Sequence, residues 1–340
     1  MTSDPGSTEF GSTDPGTTES ADSGQPPVVV VLGSVNVDFV VRSSHLPAPG
    51  ETVTGGQFFQ APGGKGANQA VAAARCAGVP DSSVARVQFL GAVGEDVQGS
   101  AAVRALETDG IDCRNLKISA TAATGIALIL VDEAGENLIS VASGANADFL
   151  PADVQQAATV LKQATVLLCQ LETPLETVET ALRVARDSHV LTILNPAPVP
   201  AAPLPASLWP LVDILTPNRG ELARLTAEPC HTEAELRTAA ETLQRAGCGT
   251  VVVTCGAEGA WLLHGSRWEH IPPVPVQAVD TTAAGDAFSG ALATRLAEGA
   301  ELSHALEFAA AAAALAVQQP GAQPSLPRRV EVEQLLSSRK

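Results

Sequence analysis

Short runs of β-branched and aliphatic residues recur along this chain, and stretches with helical spacing separate most of them. The runs are 28–33, 87–90, 166–169, 190–194, 212–215 and 250–254. They lack the polar alternation of a half-exposed strand, so each reads as a strand buried on both faces. The helical stretches are 67–77, 97–109, 152–163, 175–187, 219–226 and 232–246, and the chain is mostly helical from residue 283 onward. Strands alternating with helices build a mostly parallel sheet with helices on both faces. The expected fold class is therefore α/β, a three-layer sandwich.

Two segments break this rhythm. Residues 51–60 look like a strand without a helix, and 124–142 read as a hairpin turning near Glu133–Glu136. Together they suggest a small accessory β-sheet inserted in the α/β body. A hairpin plus one strand is barely stable alone. It should lie over the main sheet edge as a lid, pair with another subunit, or both. One face of such a sheet must be covered, so a homodimer through the lid is expected.

With 340 residues, 45% of them hydrophobic, the chain can bury a large core. Residues 1–27 are Ser, Thr, Gly, Pro and acid, with Asp4-Pro5-Gly6-Ser7-Thr8-Glu9 echoed by Asp14-Pro15-Gly16-Thr17-Thr18-Glu19. That composition cannot bury enough apolar surface to order itself, so 1–27 is expected to be a disordered low-complexity tail. Its five acids account for five of the seventeen net negative charges, leaving −12 on the remainder. An acidic surface argues against nonspecific binding to nucleic acid or to anionic membrane. No apolar run is long enough to span a bilayer, and the N-terminus has no apolar signal core. The six cysteines (Cys76, Cys113, Cys169, Cys230, Cys248 and Cys255) form no CxxC pair. They point to a reducing, cytoplasmic location without a disulfide framework or zinc site. The six histidines show no metal spacing, and Ser34 and Ser289 lack the nucleophile-elbow context.

Ligands of open parallel sheets bind beyond the carboxyl ends of the strands. After the first strand, Asn36 and Asp38 are two residues apart and face one side of an extended chain. They suit either a grip on vicinal hydroxyls or an Asx-turn. Pro62-Gly63-Gly64-Lys65-Gly66-Ala67-Asn68-Gln69 precedes a helix but lacks P-loop spacing. Its glycines permit close approach of a ligand, with Lys65 and Asn68 as polar contacts. Glu172 follows another strand. Asn218 and Glu221 have either the spacing of a helix cap or a role in outer-sphere Mg²⁺ binding. Thr254, Gly256 and Gly259 follow a fifth strand and leave room for a nucleotide. In Asp280-Thr281-Thr282-Ala283-Ala284-Gly285-Asp286, small residues bare the N–H groups of a helix start, which favours phosphate. Asp286 either caps that helix or takes a proton from a hydroxyl that attacks a phosphate.

The motifs at 33–38, 63–70 and 280–286, in this order and at these separations, resemble the ribokinase-like carbohydrate kinases, from about Val28 to about Leu336. The resemblance implies a kinase domain over 28–340 that phosphorylates D-ribose at O5 with ATP. By position it implies Asp286 as the base and the backbone N–H groups of Ala283, Ala284 and Gly285 as an anion hole. It implies sugar contacts at Asn36, Asp38, Gly64, Lys65, Asn68 and Glu172, and nucleotide contacts at Asn218, Thr254, Gly256, Gly259 and Gly285. Glu221 corresponds to an acid linked to Mg²⁺ through water. Asp280, Thr282, Ala316, Gln319, Gly321 and Ser325 correspond to a K⁺ site. Ala310 departs from the pattern, standing where relatives often carry Asn or His near the adenine.

Overall fold

The computed structural model describes residues 26–77 and 84–339, so the expectation of a disordered tail over 1–27 lies almost wholly outside the described residues. The chain starts in β1 (Val28–Leu32), leaves the main body in β2 (Asn36–Arg42), returns in β3 (Gln57–Gly63) and enters α1 (Lys65–Ala77). Next come β4 (Arg86–Leu90), β5 (Ala92–Gly94), α2 (Val97–Thr108), β6 (Lys117–Ser119) and the hairpin β7 (Gly125–Val131) and β8 (Asn137–Ala142). α3 (Pro151–Gln156), α4 (Ala158–Lys162), β9 (Val166–Cys169), α5 (Leu175–Asp187), β10 (Leu191–Leu194), β11 (Ile214–Leu215), α6 (Arg219–Thr226), α7 (Glu233–Arg245) and β12 (Thr250–Thr254) follow. The chain ends in β13 (Ala260–His264), β14 (Arg267–Ile271), α8 (Ala284–Ala297), α9 (Leu302–Ala316) and α10 (Arg329–Ser337).

The main sheet has eight strands in the order β14-β13-β12-β11-β10-β9-β1-β4. From β4 to β12 every pairing is parallel, while β13 and β14 add an antiparallel hairpin at one edge. Each face of the sheet carries its own apolar core. Val29, Val31, Val166, Leu168, Ile193 and Ile214 pack against α1, α8 and α9. Val30, Leu32, Leu167, Cys169, Leu194 and Leu215 pack against α5 and α7. This alternation of targets explains why the runs are continuously apolar. All of the six listed strand runs form strands of this sheet, and the α/β sandwich is as expected. The helix expected at 152–163 is broken at Ala157 into α3 and α4.

On the first face α1 crosses α8 closely. A Cβ at Gly290 would lie 2.5 Å from the Gln69 carbonyl oxygen and 2.7 Å from the Ala72 Cβ. Thr294 Oγ1, one turn on, donates to the Ala73 carbonyl at 3.0 Å. This crossing fixes the start of α1 relative to the start of α8.

The accessory sheet has four strands, β3-β2-β7-β8, not the three suggested by 51–60 and 124–142. The hairpin lies where expected. The strand placed at 51–60 begins at Gln57, after Gly55 turns the backbone to a φ of +86°. The fourth strand is β2, antiparallel to β3 and parallel to β7. The two faces of β2 differ. Asn36 and Asp38 lie on one, and Phe39 and Val41 on the other, where they line an apolar surface with Phe58, Leu128, Leu130 and Leu138.

Gly290→Ala forces a methyl into the α1–α8 contact. It should cost about 1–3 kcal/mol of stability and lower the thermal unfolding midpoint measured by circular dichroism.

Candidate active site

The carboxyl edge of the main sheet, the start of α1, the start of α8 and the first residues of β2 converge on Asp286. This carboxylate is nearly inaccessible, at 6% exposure. Asn68 Nδ2 donates to its Oδ2 at 3.0 Å, and Gln69 Nε2 donates to its Oδ1 at 2.9 Å. Both donors sit in the first turns of α1. Asp286 therefore does not cap its own helix. The N-cap is Ala283, which has no side-chain cap and a left-handed φ of 59°. A non-glycine residue in that conformation is strained, and such strain collects at functional sites. Among the described residues the N–H groups of Ala283 and Gly285 meet no acceptor, and that of Ala284 reaches the Thr281 carbonyl at 3.3 Å. A Cβ on Gly285 would meet nothing within 4 Å, so open space faces this helix end.

Burial pushes the Asp286 carboxyl above the ordinary carboxylate range, and Lys65, Gln69 and Asn68 pull against that rise. The Lys65 ammonium is lowered by burial, but Asp286, Glu172 and Glu221 outweigh this and hold it above its usual value. A cation beside a buried carboxylate favours the ionised form of the latter.

The sugar-side candidates are brought together around this pair. Glu172 Oε2 accepts from Ser34 Oγ at 2.6 Å and from the Lys65 backbone N–H at 3.0 Å. Asp38 is raised to about 6 by burial and by the nearby Glu172 charge. A Cβ on Gly63 would lie 2.3 Å from an Asp38 oxygen, and one on Gly64 (φ +88°) would lie 2.7 Å from the Asn36 backbone nitrogen. The glycine cluster thus seats one loop of this chain against another. Asn36 is oriented by Asn146, whose Nδ2 donates to Asn36 Oδ1 at 2.8 Å while its Oδ1 accepts from the Val35 N–H at 2.8 Å. Asn36 is no Asx-turn.

Asn218 and Glu221 form the reciprocal cap. Asn218 Oδ1 accepts from the Glu221 N–H at 2.8 Å, and Glu221 Oε2 accepts from the Asn218 N–H at 2.7 Å. The Glu221 carboxyl is raised by burial and feels both Lys65 and Asp286, so it also belongs to this site. Thr254 is bridged to Asn218 and donates its N–H to the Pro217 carbonyl at 2.9 Å. Gly256 faces open space, and the Cys255 N–H donates to the Gly259 carbonyl at 2.8 Å, closing the turn.

Asp280 accepts from the Thr282 hydroxyl at 2.6 Å, the Thr282 N–H at 2.9 Å and the Gly321 N–H at 2.8 Å. These donors outweigh its partial burial and hold it below the usual carboxylate range, with Arg42 adding a smaller pull. Ala316 ends α9, and Gln319 and Ser325 lie in the segment after it, but among the described residues no hydrogen bond ties them to Asp280. The Ala316 carbonyl accepts from Gln319, and Ser325 Oγ donates to Ala322 at 2.8 Å. Ala310 lies on α9 against the core and offers no polar side chain. Among the described residues no group of three or more His, Cys, Asp or Glu is placed to hold a metal.

Sequence reasoning missed Gln69, Gln170, Asn195 and Asn146 and weighed Ser34 only as a nucleophile. The available signal was position: Gln170 and Asn195 each directly follow an apolar strand run.

A buried carboxylate beside bare helix-start amides is an arrangement suited to phosphoryl transfer. The pattern of the pfkB family carbohydrate kinase matches residues 27–329, and the chain belongs to this family. Its relatives include the ribokinase of Haemophilus influenzae, 40% identical over 91% of this chain and 98% of the relative. The deoxyribokinase of Salmonella typhi is 34% identical over 91% of this chain and 98% of its own. The solved structure of Arabidopsis thaliana ribokinase complexed with ribose and ATP is similar, with a TM-score of 0.84 and 33% identity, covering 92% of this chain and 99% of that one.

The raised Asp38 carboxyl binds a proton in the folded state between pH 4 and about 6 that the unfolded chain has lost, so its ionisation makes the sugar-free protein less stable as pH rises through that window. Asp38→Asn should therefore raise stability by about 1–2 kcal/mol at pH 8, after discounting for partial exposure, with the gain vanishing near pH 4. Urea unfolding of both proteins at the two pH values checks this.

Proposed function

We propose that this chain transfers the γ-phosphoryl group of ATP to the 5-hydroxyl of D-ribose, giving ribose 5-phosphate and ADP. The observation that carries this reading is the buried Asp286 carboxylate set beside unpaired helix-start amides, in a chain 40% identical to a ribokinase. Asp286 accepts the 5-hydroxyl proton as the oxygen bonds to the γ-phosphorus. The bond to the β-phosphate oxygen breaks, and ADP leaves with that electron pair. The Ala283 and Gly285 amides, with the more weakly engaged Ala284 amide, face the charge that spreads over the phosphoryl oxygens. Lys65 favours the ionised form of the base.

Asn36, Asp38, Gly64, Lys65, Asn68 and Glu172 form the sugar side, with Asp38 and Glu172 accepting from secondary hydroxyls. Asn218, Thr254, Gly256, Gly259 and Gly285 form the nucleotide side. Glu221 commits Oε2 to its cap and leaves Oε1 for a metal-bound water, which fits Mg²⁺. The oxygen set of Asp280, Thr282, Gly321, Ser325 and the Ala316 and Gln319 main chain fits a large hard cation such as K⁺. Bound there, K⁺ would brace the segment leading into Ala283, and Mg²⁺ would neutralise phosphate charge.

The lid supports a homodimer. Phe58 is 60% exposed, Leu128 52% and Leu138 51%, and the edge strand β8 is exposed along its length. An apolar sheet face beside an open edge favours a second copy. The six free thiols and the absence, among the described residues, of any helix able to cross a membrane support a cytoplasmic enzyme.

Coupled-enzyme assays with Mg²⁺-ATP, with and without K⁺, should give the highest kcat/KM for ribose over 2-deoxyribose and fructose. A higher value for 2-deoxyribose would transfer the reading to the chemistry of the Salmonella relative. Asp286→Asn should retain ribose binding in calorimetry and lose at least about a thousandfold in kcat, near the upper range for a general base. Leu128→Lys should convert a dimer to a monomer in light scattering. A wild type already monomeric at micromolar concentration would end the dimer reading.

A further inference from the structure

Behind Asp286 lies a chain of buried side-chain amides. Gln170, Asn195 and Thr216 each directly follow one of three adjacent parallel strands, β9, β10 and β11. Leu194 pairs with both Cys169 and Leu215, so the three polar residues stand side by side. All are buried, as is Gln69. Gln69 Nε2 donates both to Asp286 Oδ1 and to Asn195 Oδ1, the latter at 3.0 Å. Gln69 Oε1 accepts from Gln170 Nε2 at 2.6 Å, and Asn195 Nδ2 donates to the Thr216 backbone carbonyl at 2.9 Å.

We propose that Gln69, oriented by Asn195 and Gln170, is a positioning residue that holds Asp286 Oδ1 so that Oδ2 faces the substrate hydroxyl. The inference rests on the reading of Asp286 as the base. Each amide in the chain has one allowed orientation. The Thr216 carbonyl can only accept, so Asn195 must present Nδ2 to it and Oδ1 to Gln69. Gln69 must then present Nε2 to Asn195 and to the carboxylate, and Oε1 to the Gln170 amide. A flipped Gln69 would set oxygen against two acceptors and bury both unpaired. The other carboxylate oxygen meets only Asn68, whose own Oδ1 is buried without a protein partner. Asp286 Oδ1 is thus held from the sheet through Gln69, while Oδ2 carries the Asn68 contact alone among the described residues. Gly33 is part of the device, because a Cβ there would lie 2.0 Å from Gln170 Oε1. All the anchors belong to the main sheet and α1, none to the lid, so the aim of Oδ2 does not depend on lid position.

The test uses Gln69→Met, which keeps the volume and removes the donor, Asn195→Leu, and the double variant. Gln69→Met should lower kcat about 30-fold or more while the KM values for sugar and ATP stay within threefold. Asn195→Leu should lower kcat about threefold to tenfold by the same route. The double variant should be no slower than Gln69→Met, since the two act through one carboxylate. Near-wild-type kcat in Gln69→Met, losses confined to KM, or multiplicative losses in the double variant would each overturn the proposal. Sugar binding by calorimetry confirms that the variants are folded. If Gln69→Met does not fold, Asn195→Leu alone decides, with an unchanged kcat counting against. Asp286→Asn run alongside separates the two ideas. If it retains turnover, the base assignment fails. If it is inactive while Gln69→Met is not impaired, only the positioning role fails.

Discussion

The crossing of α1 and α8 is the contact on which the site depends. Gly290 lets the two helices approach until the Gln69 carbonyl and Ala72 touch it. From that crossing α1 runs back to Lys65, Asn68 and Gln69, and α8 runs back to Asp286 and the Ala283 amides. A buried carboxylate without partners would be protonated or would destabilise the fold by several kcal/mol. The crossing supplies two amide donors and a cation to the Asp286 carboxylate, so its charge is better tolerated there.

The electrostatics of the site are a graded set rather than a single perturbed group. The Lys65 ammonium feels Asp286, Glu172 and Glu221. Burial raises Asp38 and Glu221, with the Glu172 charge adding to the first and the Asp286 charge to the second, which leaves the sugar-free site under repulsion. In the proposed reaction, hydroxyl donors of the sugar would relieve that repulsion, and backbone amides rather than a basic surface would meet the anionic co-substrate.

The parallel sheet was legible because its strands are buried on both faces and read as plain apolar runs. The segment 280–286 was legible because small residues before an acid at a helix start have few structural uses. β2 was not recognised as a strand, since Asn36 and Asp38 on its other face resemble a turn. β14 was missed because an edge strand carrying Arg267, Glu269 and His270 lacks the buried signature. Gly63 and Gly64, read in the sequence as permitting ligand approach, also let their own segment seat against Asp38 and Asn36. Gln69, Gln170 and Asn195 gave no signal as isolated letters. Their meaning lies in adjacency across strands that are distant in sequence, which only the sheet order supplies.

The row formed by Gln170, Asn195 and Thr216 has a consequence for folding fidelity. Side chains on a strand alternate between the two helical layers, so a slip of one residue in β9, β10 or β11 would turn its polar residue into the opposite core. There it would meet Val178, Leu182 or Leu243 instead of its neighbours. A misregistered sheet could still be compact, but its amides would be stranded in hydrocarbon and its carboxylate unaimed. Turnover in this protein is therefore also a proofreading signal, reporting that three strands have been laid side by side in a single alignment.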